Sequence, residues 1–262
     1  MTATADLPTV TDVGTHLALD GVCAGYGGPP VIDGVCIAVP QGKVVVVAGP
    51  NGAGKSTLVK AIMGQLKVSA GSVRLAGEDI TNHAPERIAR HGIGYVPQQH
   101  DVFEALTVLE NLEIGGYLLP KRKSAARAAE VLEIFPKLAR MRYRSVGQLS
   151  GGERKMVAVG RVLMLEPSVL ILDEPTAGLS VPLTEELFEV HVRDLASRGT
   201  AVLLVEQKAT EALNIADWGY ILVSGRVEVS QSAAEILSRA DLGEVFLGGS
   251  TSLAADGDDD EE

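Results

Sequence analysis

The chain has 262 residues, 46% hydrophobic but only 4% aromatic, and a formal net charge of −11. This length suits one generous domain, or a domain with a subdomain, whose core of Val, Leu, Ile and Ala fits a buried sheet covered by helices. The acidic balance argues against a nucleic-acid surface; Cys23 and Cys36 make neither a disulfide framework nor a metal site and fit a reduced, cytosolic chain; no apolar run reaches the length of a membrane span.

Residues 1–15 carry no Lys or Arg and no long apolar stretch, which argues against a signal peptide and predicts a flexible N-terminus. From 16 to 249 apolar strands alternate with amphipathic helices, the pattern of a layered α/β domain. His16 to Cys23 and Val31 to Val39 are predicted strands, an antiparallel β flank ahead of the central sheet. Val44 to Ala48 is a β-branched run fit for a buried parallel strand, and Lys55 to Met63 is a predicted helix with Leu58, Val59 and Ile62 inward. Ser72 to Ala76 reads as a short strand, Pro85 as the first turn of a helix reaching His91, and Ile93 to Val96 as a core strand ending at Pro97-Gln98. Thr107 to Glu110 is a capping box, and Lys123 to Phe135 is a helix stopped before Pro136, so about 100–165 is expected to be an inserted helical subdomain. Ser150 to Leu165 is a helix, Val169 to Asp173 a buried strand, and Leu183 to Leu195 a helix with Leu183, Leu187, Val190 and Leu195 inward. Ala201 to Val205 is a strand, Ala209 to Ala216 a short helix, Tyr220 to Val223 and Arg226 to Val229 a hairpin around Ser224-Gly225, and Ser232 caps a last helix. Asp256 to Glu262 holds six acidic groups, more than half of the net charge, so 250–262 is expected to be a disordered acidic tail.

Three constellations carry chemistry. Gly49, Pro50, Asn51, Gly52, Ala53, Gly54, Lys55, Ser56 and Thr57 follow a strand and open a helix in the pattern G-x-x-x-x-G-K-[ST], a phosphate-binding loop. Its glycines let the backbone curl without a Cβ in the way, its N–H groups and the helix N-terminus favour an anion, Lys55 is placed to reach the outer phosphates, and Ser56 to ligate Mg²⁺. Asp173 and Glu174 end an apolar strand where open α/β sheets bind ligands; Asp173 would orient water on Mg²⁺ and Glu174 would position or deprotonate an attacking water. Ser150-Gly151-Gly152-Glu153 is a second capping box, but two glycines in a first helical turn cost stability and make sense if an anion approaches the bare N–H groups. That anion is not easily the phosphate held by Lys55 of the same chain, which points to a second subunit.

With these motifs together, the sequence resembles the ATP-binding subunits of ABC transporters: GPNGAGKST, LSGGE and VLILDEPT match that family's phosphate loop, signature and second acidic motif. GVCAGYGG, GIGYVPQ, LTVLENLEIGGY, LSGGERKMVAVGRVLMLEP, DEPTAGLS, LLVEQ and EVFLGG are most similar to the ATPases of branched-chain amino-acid and urea uptake, over about residues 17–249. The resemblance implies a P-loop NTPase core with a mainly parallel sheet, ATP and Mg²⁺ as ligands, and a head-to-tail sandwich with a second copy or a related ATPase. It implies that Tyr26 stacks on adenine, that Gln98 contacts Mg²⁺ and the attacking water, that Ser150, Gly151, Gly152 and Glu153 complete the opposite subunit's site, and that Glu174 is the catalytic carboxylate. It also implies integral permease subunits, an indirect solute-binding partner, and a place on the cytoplasmic face of the cell membrane.

The pattern is broken in three places. Gln207 holds the position of the family's usual switch histidine; it can hydrogen-bond a γ-phosphate but carries no imidazolium charge. Ser180 replaces a common aspartate, and Glu153-Arg154-Lys155 replaces a more usual glutamine run, with the basic pair expected either at a subunit contact or in solvent. Phe103, Leu106 and Leu109 are expected either to face a membrane partner or to fill the core of the helical part. The expected function is ATP hydrolysis energising an importer of branched-chain or other small amino acids, with a urea or short-amide importer, a lipid or polysaccharide exporter, and a soluble ATPase as alternatives. Exporters of that kind usually keep the switch histidine, and soluble ATPases of the family usually carry two ATPase domains or long inserts.

Overall fold

Two sheets hold the loop after the first strand of the central sheet between them. The structure, a computed structural model, describes residues 15–99, 101–241 and 243; His100, the EVFLGG segment, the acidic tail and the first 14 residues of the expected flexible N-terminus lie outside them. Strands β1 (Thr15–Ala24), β2 (Ile32–Pro40), β4 (Val68–Leu75) and β5 (Glu78–Asp79) form an antiparallel sheet in the order β2-β1-β4-β5. Strands β3 (Val44–Ala48), β6 (Ile93–Val96), β7 (Val169–Asp173), β8 (Ala201–Glu206), β9 (Trp218–Val223) and β10 (Arg226–Ser232) form a second sheet in the order β10-β9-β3-β8-β7-β6. Five of those strands run parallel, and only β10 pairs antiparallel at the edge.

The central strands β3, β7 and β8 are buried at every residue, which is why they read as unbroken apolar runs instead of alternating ones. Their side chains still alternate between faces. Val44 and Val46, with Leu170, Leu172, Val202 and Leu204, enter a core shared with the helices. Val45 and Val47, with Ile171 and Leu203, enter a second core shared with the antiparallel sheet and helix α1 (Lys55–Ile62).

The helical part contains α3 (Val108–Gly115), α4 (Lys121–Ile134), α5 (Pro136–Arg140) and α6 (Gly151–Leu163), after a short α2 (Pro85–Arg90). The capping boxes at Thr107, Ser150 and Ser232 are all formed, with the Glu three residues on accepting from the cap N–H in each case. Strand β4 begins four residues earlier than its pattern suggests. Gly71 has φ +81, and a Cβ there would collide with the Gly21 and Asp20 carbonyl oxygens of β1, so a residue that looks like a strand breaker is the one that fits opposite the bulge at Gly21-Val22 of β1.

The expected helix Leu183 to Leu195 is present but not as one α-helix. It runs as α7 (Val181–Glu185), a π-helical stretch (Glu186–Val192) and α8 (Arg193–Ser197). The wider turn rotates the face: after Leu187 the buried side chains are Phe188, His191 and Val192, while Val190, expected inward, is 56% exposed. His191 packs its ring 4.5 Å from that of Phe135.

The β9–β10 hairpin turns through Ser224 and Gly225, both at positive φ (47° and 82°), as two-residue hairpin loops require. Gly225 donates to the Ala53 carbonyl (2.9 Å) and accepts from the Asp33 N–H (2.9 Å), so the turn supports the loop after β3 from below. A Cβ on Gly225 would run into the Val31 carbonyl oxygen. Gly225→Ala is therefore expected to lower stability by more than about 1 kcal/mol, a fall in Tm of more than roughly 2–4 °C for a chain of this size. Thermal unfolding followed by circular dichroism measures it, and an unchanged Tm would show that the turn is free to move away.

Candidate active site

The loop Gly49–Thr57 leaves the C-terminal end of β3 and enters α1. Gly49 lies against the backbone of β9, where a Cβ would collide with the Leu222 carbonyl oxygen. Gly54 caps α1 at φ 104°, and a Cβ on it would come within 2.8 Å of Ile32 Cγ2. These two positions make the loop a cradle that only glycine can line at both ends. Lys55 folds into it: its ammonium donates to the Gly49 carbonyl (2.7 Å) and the Pro50 carbonyl (3.2 Å), and the residue is 5% exposed. Ser56 stands at the surface and Thr57 is buried. The donor set fits a polyphosphate with its counter-ion: a cation, a helix N-terminus and a hydroxyl on one side, carboxylates opposite.

Those carboxylates arrive on β7. Asp173 ends the strand, and its Oδ2 accepts from the Tyr95 hydroxyl (3.2 Å) on the adjacent β6. Burial pushes the Asp173 carboxyl up, and burial together with Asp173 pushes the Tyr95 phenol far above its ordinary value, so Tyr95 stays a donor. Glu174 has φ +43°, a costly backbone for a residue with a Cβ, and its N–H donates to the Val205 carbonyl (2.7 Å). This conformation turns the side chain onto the loop: Oε1 lies 3.8 Å from the Lys55 ammonium, and Oε2 accepts from the Gln98 amide (2.6 Å). Burial pulls the Lys55 ammonium down, opposed by the charges of Glu174, Asp173 and Glu206.

The structure thus brings Lys55, Gln98 and the adjacent pair Asp173-Glu174 together from three separate segments. Sequence reasoning missed two residues here. Tyr95 sits in the GIGYVP run, one strand from Asp173. Glu206 ends the apolar run of β8 as Asp173 ends that of β7, and this parallel was the signal available. It is 2% exposed, and burial raises its carboxyl, opposed by hydrogen bonds from Thr176 and Gln207. Gln207 itself is exposed, with its N–H donating to Glu206 Oε2 (3.2 Å).

Tyr26 is 61% exposed beside α1, with the Lys60 ammonium 5.6 Å from its ring centroid and 3.4 Å from its hydroxyl. Hydrogen bonds to Thr57 and then to Lys60 hold its phenol below the ordinary range. At the start of α6 the two glycines have different reasons. Gly151 is open to solvent, but Gly152 is buried, and a Cβ on it would come within 2.7 Å of Leu183 Cδ1. Close packing of Leu183, and not only the approach of an anion, favours glycine there. Ser180 caps α7 without using its side chain, which is left exposed.

Lys155 corrects the reading of the basic pair. It is neither solvated nor on an outer surface: its ammonium donates to Asp101 Oδ2 (2.6 Å) and lies 3.4 Å from the Pro97 and Gln98 carbonyl oxygens. Helix α6 is thereby fastened to the segment that carries Gln98. Arg154 points outward toward Glu104 (3.9 Å). Phe103 is exposed, Leu106 and Leu109 are half-buried, so the expected patch divides. Phe103, Ile114 and Tyr117 border a cleft of about 360 Å³ floored by Met63, Tyr95 and Arg161. Among the described residues no helix is long and apolar enough to cross a membrane.

Comparison with known proteins fits this geometry. Residues 32–177 match the family model described as ABC transporter. The chain is 38% identical over 233 residues to the high-affinity branched-chain amino acid transport ATP-binding protein BraG of Pseudomonas aeruginosa, covering 89% of this chain and 100% of BraG. It is 42% identical over 204 residues to the probable branched-chain amino acid transport ATP-binding protein LivF of Archaeoglobus fulgidus, covering 78% and 86% of the two chains. Among solved structures it superposes on the ADP conformation of an ATP-binding cassette of an ABC transporter with a TM-score of 0.83 at 31% identity, covering 90% of this chain and all of that one.

Proposed function

The chain belongs to the ABC transporter family of ATP-binding subunits, and from that membership we propose that it hydrolyses ATP to power a membrane importer of branched-chain or other small amino acids. The observation that carries the chemistry is the convergence of Lys55, Glu174 and Gln98 within hydrogen-bond or ion-pair distance. The amino-acid assignment rests on the likeness to BraG and LivF.

On this reading Gly49 to Thr57 bind the phosphates of ATP through their N–H groups, and Lys55 exchanges its loop carbonyls for phosphate oxygens. Ser56, Asp173 and Gln98 would hold Mg²⁺, which when bound supplies charge for the outer phosphates. Glu174 accepts a proton from the attacking water, and Gln98 orients that water. Gln207 offers an amide to the outer phosphate in place of an imidazole. Tyr26 presents its ring to adenine. Ser150, Gly151, Gly152 and Glu153 serve the site of a second copy or a related ATPase, since α6 opens on exposed N–H groups at Gly151. Residues 16–249 act as one ATP-binding domain, with about 100–165 as its helical subdomain. The cleft bordered by Phe103, Ile114 and Tyr117 receives integral permease subunits, which places the chain at the cytoplasmic face of the membrane, with a solute-binding protein engaged only through them.

Affinity purification in mild detergent from native membranes, using Glu174→Gln protein with Mg-ATP, tests this. Recovery of two polytopic permeases is the expected result. Recovery of no membrane protein from a preparation in which the ATP-bound dimer forms would withdraw the importer assignment.

A further inference from the structure

Glu174 is held in its strained backbone from both sides. Ahead of it, the parallel register sets Asp173 opposite Val205, and the Glu174 N–H reaches the Val205 carbonyl. Behind it, Thr176 is 1% exposed and gives both of its donors to one oxygen: its N–H (3.1 Å) and its hydroxyl (2.8 Å) go to Glu206 Oε1. The other oxygen, Oε2, accepts the Gln207 N–H (3.2 Å). A buried carboxylate that accepts three hydrogen bonds is satisfied, but it is a costly way merely to end a strand, since an apolar residue would fill the same space without being desolvated. Its geometry has one clear consequence. A single side chain fixes the segment that aims Glu174 at the loop and the amide of the residue that stands where a switch residue is expected.

We propose that Glu206 is a positioning residue for ATP hydrolysis, acting on Glu174 through Thr176 and on Gln207 through its backbone N–H. The proposal rests on the reading of Glu174 as the water-activating carboxylate. Glu206 itself touches neither ATP nor water in this scheme. Its length matters, because an aspartate would fall one methylene short of Thr176. Its two acceptors matter too: a glutamine keeps one oxygen for Thr176 but turns an NH₂ toward the Gln207 N–H, donor against donor.

The test uses the full-length protein with Mg-ATP and four variants: Glu206→Gln, Thr176→Val, their combination, and Glu174→Gln. Turnover gives kcat and KM, a fluorescent ATP analogue gives Kd, and thermal unfolding reports the fold. Glu206→Gln is expected to lower kcat at least tenfold while Kd for the analogue stays within about twofold, because loss of a nearby negative charge does not weaken binding of an anion. Thr176→Val, which keeps the shape and removes the hydroxyl, is expected to lower kcat in the same way. The double variant is expected to lose no more than the worse single one, as residues acting in one network do. Should Glu206→Gln not fold, the kcat-against-KM split of Thr176→Val decides alone. A kcat within twofold of the parent in the folded variants would overturn the proposal, as would a parallel loss of ATP binding, which marks a merely structural role. Near-normal turnover of Glu174→Gln would overturn the reading of Glu174 and this proposal with it; loss there with full activity in Glu206→Gln would overturn this proposal alone.

Discussion

Glu174→Gln is expected to bind ATP as the parent does and to lose turnover by roughly 10²–10⁴-fold, the usual worth of a general base. The substitution is nearly isosteric, so the amide oxygen can take the place of Oε2 and still accept from Gln98, with the backbone at φ +43° expected to stay as it is. What disappears is the group able to take a proton and the negative charge 3.8 Å from the Lys55 ammonium. Both changes favour retention of a polyanion and oppose its hydrolysis, so ATP should accumulate on the protein and hold two subunits together. Single-turnover hydrolysis and size-exclusion chromatography with and without Mg-ATP check the two halves of this expectation. A monomer that still hydrolyses ATP would defeat both.

Lys55→Ala is expected to act at the earlier step and to remove nearly all ATP binding. Lys55 is 5% exposed, and its ammonium lies against the Gly49 and Pro50 carbonyls and the Glu174 carboxylate, with the charges of Asp173 and Glu206 also acting on it. Without it, the Glu174 and Asp173 carboxylates meet the incoming phosphates with no compensating cation from the loop. An affinity loss of at least about 30-fold follows, since a buried charge-assisted contact removed from one side costs about 2–5 kcal/mol. Equilibrium binding of a fluorescent ATP analogue measures it, with near-normal affinity as the outcome that sinks the phosphate-loop assignment. The variant should stay folded, because the ammonium bonds two carbonyls of its own loop and its contact with Glu174 after β7 is an ion pair at 3.8 Å.

Much of the scaffold was legible because its signals are local. The apolar runs of β3, β7 and β8 announce buried parallel strands, and the loop after β3 has a spacing that the backbone geometry explains residue by residue. The three capping boxes were readable for the same reason: cap and partner lie three residues apart. The site was legible where a residue ends a strand beside that loop, as Asp173 and Glu174 do. What escaped notice depends on groups far apart in sequence. Val190 was expected inward because a pattern of period 3.6 cannot show a π turn. Lys155 reads as a subunit contact or a solvated residue because nothing near it in sequence reveals Asp101 as its partner. Gly152 was assigned to ligand approach alone because Leu183, thirty-one positions on, supplies its packing reason. Glu206 passed as a strand end because only the β7–β8 register brings Thr176 to it.

The clasp between Lys155 and Asp101 has a mechanical meaning. The Lys155 side chain is buried and that of Asp101 mostly so, 8% and 14% exposed, and separating a buried pair leaves a bare charge at a cost of about 3–5 kcal/mol. The clasp also reaches the carbonyl of Gln98, whose side chain touches Glu174. A displacement of Gln98 away from Glu174 must therefore drag the start of α6 with it, like a pawl fixed to its own wheel. On the reading proposed above, in which Gln98 senses the nucleotide and the start of α6 meets a second subunit, the two move as one part, so a change at a subunit's own nucleotide is expected to alter the face it turns to its neighbour.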